Sequence, residues 1–381
     1  MSYLDWRMIP PQRLPAALTP LDVALATLLR DLEPVAPHEM WSGEALGCVA
    51  AEMPPGLAVP PCDVAVADGW ALRARDLVGA SSYAPLPLDA LPVWVEAGDR
   101  MPDGCDCVLD ADLLDQTGPL LQVMAEAIPG QGVRRSGGDI AQGRPVIAAG
   151  RRVRRTDLLS AAAAGLDTIR VRHPRLRLVD IPANAGLSQT AQLIFGLAGA
   201  AGAGTAWVEA RGRDAAAIAA AVDVSGCDLL ITVGGSGVGR SDAAIAGLAA
   251  RGAEIVHGLA LQPGRTAAFG RIGNVPVVAL PGAPDQALAV WWTLVLPVLE
   301  RLAGLSPPRQ VVTLPLARKI ASQVGMTELV LLERIGDQWL PLATGELSLE
   351  AIARADAWLA VPAGSEGFAA GTPADAYMVR D

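Results

Sequence analysis

The chain has 381 residues, 51% hydrophobic and 18% charged, which excludes a small module or a disordered tract and leaves room for about two to four domains with large cores. Forty acidic against thirty basic residues give a net charge of −10, which excludes a nucleic-acid partner held through phosphate contacts. Five scattered cysteines, an odd number, exclude the disulfide framework of a secreted protein and fit a cytoplasmic one.

The amino terminus, MSYLDWRMIPPQ, carries Asp5 and no continuous apolar core, so no signal peptide is read there. Pro20–Leu32 has the spacing of an amphipathic helix, and 43–53 is a short apolar segment closed by Pro54-Pro55-Gly56. From 57 to 145 short apolar runs such as Leu91–Val95 and Cys105–Leu109, broken by Gly, Pro and Asp, predict mostly strand. Cys105-Asp106-Cys107 lacks the second pair or the His that a tetrahedral metal site needs, and strand alternation puts both thiols on one face as small core residues. Arg151, Arg152, Arg154 and Arg155 read as a solvated strand end.

Leu158–Gly165 is predicted as a short helix and Thr168–Arg172 as a strand. A regular alternation then begins: strands at 176–181, 205–209, 228–233 and 253–257, with helices at 188–200, 214–222 and 241–251 between them. That order specifies a parallel, doubly wound sheet. Apolar runs at 266–272 and 275–280 precede a helix over 285–303 that stops at Gly304. The apolar stretch Ala287–Leu299 is too short to cross a bilayer, so no membrane association is expected. After Ser306-Pro307-Pro308 the chain returns to short strands with one helix near 348–354. The expected segments are 1–41 with 146–172 (helical and linking), 42–145 (mostly β), 173–305 (α/β) and 306–381 (a separate small β domain). The fold class is multi-domain α+β, a doubly wound α/β domain flanked by mostly β domains.

The candidate chemistry centres on Ile231–Asp242, ITVGGSGVGRSD, read as a buried strand, a glycine loop and a helix start. Gly234, Gly235, Gly237 and Gly239, with Ser236 and Val238, let backbone N–H groups approach an anion, and Ser241 with Asp242 are expected as N-cap and first turn. The competing reading is a strand-to-helix turn that needs glycine only for its backbone angles. The loop matches the G-x-x-x-x-G spacing of a phosphate loop, but Arg240-Ser241 stands where Lys-Ser/Thr belongs. Val179-Asp180 imitates a magnesium-binding strand end, so a P-loop-like nucleotide hydrolase stays as a weaker alternative. The dinucleotide fingerprint fails on spacing. Ligands of open α/β sheets sit at the carboxyl ends of strands, so Gly234–Gly239, Pro263-Gly264-Arg265 and Pro281-Gly282-Ala283-Pro284 are expected to share one edge. Far upstream, Asp68-Gly69 offers a carboxylate, or nothing more than a hairpin turn.

Taken together these residues resemble the molybdopterin molybdotransferase family, the MoeA and gephyrin E-domain type. The resemblance is carried by Val66–Ala71 (VADGWA), Ala97-Gly98 with Met101–Asp106 (MPDGCD), Arg134–Ile140, Gly234–Gly239 with Asp242, Pro263–Arg265 with Ala268–Gly270, and Leu280–Pro284. They occur in the family's order, and Leu347–Gly371 is similar to its terminal domain. The resemblance implies an elongated four-part homodimer, with a pterin pocket between the α/β domain of one subunit and the β domain of the other. It implies insertion of molybdate into molybdopterin, adenylylated molybdopterin being hydrolysed with release of AMP and with Mg2+ assistance. On that basis Asp68 and Asp242 are the expected catalytic and magnesium-binding residues. Gly234, Gly235, Ser236, Gly237, Val238, Gly239, Pro263, Gly264, Arg265, Pro281, Gly282 and Pro284 are the expected pterin-binding ones.

The chain also departs from the family's pattern. The acidic turn after the first α/β strand is Asp180-Ile181-Pro182-Ala183-Asn184, family lysines fall at Gly258 and Gln262, and the lysine after Pro-Gly is Arg265. Further polar positions are Val64-Ala65, Gly138 and Ala283. Each lost charge-assisted contact to an anionic ligand is worth about 1.5–3 kcal/mol. The leading expectation is therefore a molybdotransferase, with a molybdopterin adenylyltransferase or a client molybdoenzyme as protein partner. The alternative is a catalytically lapsed molybdopterin-binding protein that delivers cofactor to a molybdoenzyme.

Overall fold

The computed structural model describes residues 12–115, 121–183, 188–306, 309 and 311–379. Met1–Pro11, Asn184 of the altered acidic turn, and Pro307-Pro308 lie outside them. Contacts group the chain into two bodies, a coarser division than the four segments read from the sequence. The first holds the described residues of Met1–Ala51, Ala149–Arg154 and Arg170–Asp381, the second Glu52–Ala148 and Arg155–Ile169. The helix Arg155–Ala163 thus clusters with the mostly β segment.

The first body opens with helix α1 (Leu21–Leu29), whose Ala24 and Leu28 are fully buried. The α/β region follows as β1 (Arg175–Asp180), α2 (Gln189–Ala200), β2 (Gly204–Glu209), α3 (Ala215–Ala221), β3 (Leu229–Val233), α4 (Ala244–Ala250), β4 (Glu254–His257), β5 (Ala268–Ile272) and β6 (Val275–Leu280). These strands form one sheet in the order β2-β1-β3-β6-β5-β4. The first four are mutually parallel, as an alternating strand–helix pattern dictates. The expectation of a wholly parallel sheet needs correction at β5, which pairs antiparallel with both β6 and β4 because Gly273, at φ 57°, turns the chain straight back in a hairpin. The central strand β3 is buried along its whole length. Leu229, Ile231 and Val233 pack in one core with Leu176 and Leu178, while Leu230 packs on the opposite face with Val179 and Ile218. Each such side chain contributes about 1.5–3 kcal/mol by burial.

The helix expected over 285–303 is broken into α5 (Pro284–Val290), a π-helical turn Trp291–Val295 and α6 (Leu296–Ala303), and it ends at Gly304 with φ 66°. Pro297, which has no N–H to donate, sits just beyond the π turn, where an irregular ladder tolerates it. The carboxyl-terminal strands form a second sheet, in the order Leu261–Gln262, Thr327–Ile335, Ala357–Val361, Pro373–Met378 and Val311–Pro315. Its first member, Leu261–Gln262, belongs in sequence to the α/β region, so the carboxyl-terminal strands share a sheet with that region.

In the second body Gly69–Leu72 pairs with Val93–Val95 and Cys107–Leu109, and Val64–Ala65 pairs with Val133–Arg134. The two thiols expected on one face pack into different clusters. Cys107 lies with Leu72, Leu77 and Leu109, while Cys105 lies against Ala65, Met101 and Val108, because it precedes the strand in a turn closed by its N–H to the Pro102 carbonyl. Burial pushes the Cys107 thiol up to about 11, so it is an uncharged core group.

Candidate anion site at the carboxyl edge of the α/β sheet

Register fixes which loops meet. His257 of β4 stands opposite Ala268 of β5, Ala268 opposite Ala279 of β6, and Ala279 opposite Thr232 of β3. The glycine loop after β3, the 258–267 connection and the loop after β6 therefore leave the sheet at one edge. The glycine loop also follows the strand where the chain, having gone outward from β1 to β2, crosses back to β3. That is the switch point at which doubly wound sheets hold ligands.

Gly234 and Gly235 turn the loop with φ of 93° and 68°, and a Cβ on Gly234 would come within 2.5 Å of the Ile181 carbonyl oxygen. Gly234 N–H closes onto the Leu280 carbonyl at 2.9 Å, and Gly282 passes so near that its Cβ would lie 3.5 Å from Gly234 Cα. Beyond Gly234, the N–H groups of Gly235, Ser236, Gly237 and Val238 donate to no group among the described residues. The Ser236 hydroxyl is buried and equally unpartnered. Gly235 and Ser236 are buried, Gly237 is half-buried and Val238 is exposed, so the loop presents a run of free amides that opens from the interior to the surface, the form of an anion-binding concavity.

The helix expected from Ser241 begins instead at Ala244, and no side chain of its own first turn caps it. Gln12 does so from the amino-terminal arm: its Oε1 accepts from Ile245 N–H at 2.9 Å, while its Nε2 donates to the carbonyls of Gly235 at 3.1 Å and Gly237 at 2.8 Å. The Ser236 carbonyl accepts from His257 Nε2 at 2.8 Å. These partners lie far apart in sequence, and nothing local to Gln12 or His257 signals the contact.

Asp242 is not the open metal ligand that the sequence led us to expect. Its Oδ1 is 2.8 Å from Arg213 Nη2 and its Oδ2 accepts from Gly239 N–H at 2.9 Å. Gly237 and Gly239 are glycines because this carboxylate fills the space a Cβ would take. Among the described residues no three His, Cys, Asp or Glu side chains converge to hold a metal ion. With its carboxylate already paired to Arg213 and to Gly239 N–H, Asp242 does not fit a resident magnesium. Asp68 belongs to the second body, where it is exposed and its Oδ1 accepts from Ala97 N–H at 2.8 Å. The hairpin reading of Asp68-Gly69 is corrected too, since Val64–Ala65 and Gly69–Leu72 pair with other strands and not with each other.

Pro263 and Gly264 are buried and Arg265 is exposed. Pairing of Leu261–Gln262 with Thr327–Glu328 anchors that loop, and a Cβ on Gly264, at φ 124°, would press on Val290 at 2.9 Å. Pro281 is buried while Gly282 is exposed, its carbonyl accepting from Thr190 Oγ1 at 2.7 Å, and Pro284 begins α5. At Gly258, where the family has a lysine, φ is 98° and the Cβ direction is filled by Leu14, Pro15 and Leu18 of the arm. Asp180, the strand-end carboxylate that a nucleotide hydrolase would offer to magnesium, is wholly buried and accepts from Ser188 N–H at 3.0 Å. Burial raises its pKa, with the Glu209 charge adding to the effect and the Ser188 bond opposing it. Arg213, Gln12, His257 and Asp180 are the residues that sequence reasoning passed over or misassigned.

The α/β domain is a doubly wound sheet with a glycine loop of unpartnered amides at its switch point, the place where such sheets hold ligands. Comparison with known proteins agrees. Residues 19–165 match the family described as "MoeA N-terminal region (domain I and II)", and residues 184–301 match "Probable molybdopterin binding domain". The chain is 30% identical to molybdopterin molybdenumtransferase 2 of Mycobacterium tuberculosis over 325 residues, covering 74% of this chain and 79% of that one. It is 27% identical to molybdopterin molybdenumtransferase of Synechococcus elongatus over 365 residues, covering 83% and 89%. The crystal structure of the molybdopterin biosynthesis protein MoeA from Pyrococcus horikoshii superposes with a TM-score of 0.70 at 23% identity, covering 96% of this chain and all of that one, and so shares its fold. The chain belongs to the MoeA family of molybdenum-cofactor biosynthesis proteins. No helix among the described residues is long and apolar enough to cross a membrane.

Proposed function

We propose that the protein is a molybdopterin molybdotransferase that holds the pterin's phosphate on the Gly234–Gly239 loop and inserts molybdate into its dithiolene. The observation that carries this reading is the run of four unpartnered N–H groups from Gly235 to Val238 beside the unpartnered Ser236 hydroxyl. The names of its relatives in Mycobacterium tuberculosis and Synechococcus elongatus support the transferase activity. The loop amides would replace the water around the phosphate, Arg265 would add the exposed positive charge, and Pro263-Gly264 with Pro281, Gly282 and Pro284 would form walls. In this reading adenylylated molybdopterin is the substrate and AMP the product: water attacks the phosphoanhydride and AMP leaves, and the two dithiolene sulfurs bond to molybdenum as one molybdate oxygen departs as water with the two thiol protons. The protein acts in the cytoplasm as a homodimer, taking substrate from a molybdopterin adenylyltransferase or passing product to a client molybdoenzyme.

A second reading is favoured by Gly258 and Gln262. Where the family has lysines, the first position is enclosed by the arm and the second is a neutral amide bonded to the Gly345 carbonyl at 3.2 Å. With those cations gone the chain would bind pterin and deliver it without turnover. Titration of the purified protein with molybdopterin and with its adenylylated form, followed by AMP release with and without molybdate, separates the readings. Molybdate-stimulated AMP release supports the transferase. Tight binding with release at background supports delivery, and no binding of either pterin removes both.

A further inference from the structure

The carboxylate that the family resemblance assigned to magnesium carries a cation of its own. Arg213 lies in the connection from β2 to α3, next to Asp214, the residue that caps α3. Its Nη2 donates to Asp242 Oδ1 at 2.8 Å and its Nη1 to the Ile181 carbonyl at 3.1 Å. One guanidinium thereby ties together the end of β1, the connection after β2 and the loop after β3, the three strand ends around the switch point. The pair is largely enclosed, with 24% of the Arg213 side chain and 16% of the Asp242 side chain exposed.

Magnesium in such sites is held by one or two carboxylates with its remaining positions taken by water or substrate phosphate, and here no cluster of three ligating side chains forms among the described residues while the Asp242 carboxylate is already taken by a guanidinium. A guanidinium is always charged, and its planar fork can meet a carboxylate and a carbonyl at once. We infer that Arg213 replaces a divalent cation at Asp242, which makes Asp242 the anchor of the glycine loop and Arg213 the positioning residue that fixes that loop against β1. Two of the five guanidinium N–H donors are used in these bonds, so three donors of a partly exposed guanidinium remain at the carboxyl edge without any metal. The consequence for binding rests on the reading of the loop as the pterin site, whereas the assignment of the pair does not.

Thermal unfolding in EDTA and in excess MgCl2 tests the assignment without any pterin. The unmodified protein is expected to melt at the same temperature in both, apart from any shift that Asp242→Asn shares. Arg213→Ala is expected to melt about 3 °C or more lower in EDTA, to regain part of the loss in MgCl2, and to lose that response when Asp242→Asn is added. Arg213→Lys, which keeps the charge, should recover most of the stability without magnesium. A magnesium-dependent shift in the unmodified protein that Asp242→Asn abolishes overturns the inference, as does an Arg213→Ala variant that neither loses stability nor responds to magnesium. If Arg213→Ala does not fold, calorimetric titration of the unmodified protein and Asp242→Asn with MgCl2 decides alone, heat that vanishes in the variant being the contrary result. With pterin, Arg213→Ala should raise KM tenfold or more with a smaller fall in kcat, and Arg213→Lys should reverse it. Absence of pterin binding by the unmodified protein would count against the functional reading and leave the melting result standing.

Discussion

Replacing Gly237 by alanine should damage the loop through Asp242 and through no other group. The backbone there does not adopt the left-handed region, so alanine brings no conformational strain. Its Cβ overlaps Asp242 Oδ2, and the three nearest atoms all belong to that carboxylate. Making room means moving the carboxylate away from Gly239 N–H and Arg213, two charge-assisted bonds worth about 1.5–3 kcal/mol each when lost. Because the carboxylate can shift without leaving altogether, the expected cost is about 2–4 kcal/mol, or roughly 5–10 °C in the melting of the first body. The assay is a double-mutant cycle by thermal or urea unfolding, with Gly237→Ala made both in the unmodified protein and in an Asp242→Gly background. Removing the carboxylate removes the overlap, so the two changes should couple by about 1–3 kcal/mol. Equal cost in both backgrounds would show that Asp242 is not what keeps this position glycine.

Asp180 predicts a pH dependence of stability. Its pKa is raised in the folded chain, so the folded state binds the proton more tightly than the unfolded one; the stabilisation is complete below the ordinary Asp value near about 3.9 and is lost as pH rises through the raised value. Melting of Asp180→Asn measured against the unmodified protein should therefore diverge as pH increases across that window, and a difference independent of pH would refute the assignment. Gln12→Ala strips the partner from Ile245 N–H and from the Gly237 carbonyl, while the Gly235 carbonyl keeps Ala244 N–H, and should cost about 1–3 kcal/mol with faster amide exchange at Ile245; unchanged exchange there would deny the arm its capping role. Arg265→Ala should leave melting unaltered, since the residue is exposed, while weakening molybdopterin binding about tenfold, near 1.4 kcal/mol. Undiminished affinity would remove Arg265 from the site.

Much of what depends on neighbours in sequence could be read from the chain, although the Gly273 hairpin and the π turn at Trp291–Val295 were not. The strand at Thr168–Arg172, the strand–helix alternation after Arg175, the stop at Gly304 and the glycine loop after β3 are local signals: period, capping chemistry and the freedom of glycine. Those signals also put three loops on one edge, because in a parallel sheet every carboxyl end faces the same way. What the chain could not show is which distant groups satisfy one another. Leu261–Gln262 looks like part of a loop and becomes a strand only because Thr327–Glu328 lies beside it. Ser241 and Asp242 have the composition of a helix cap, yet the helix starts later because Arg213, 29 residues away, and Gly239 N–H claim the Asp242 carboxylate. The cap then comes from Gln12, 233 residues from Ile245. Periodicity and propensity act over a few residues, whereas a buried charge or an orphaned N–H takes whatever partner the packed chain brings within 3 Å or so, and that is decided only when the elements assemble.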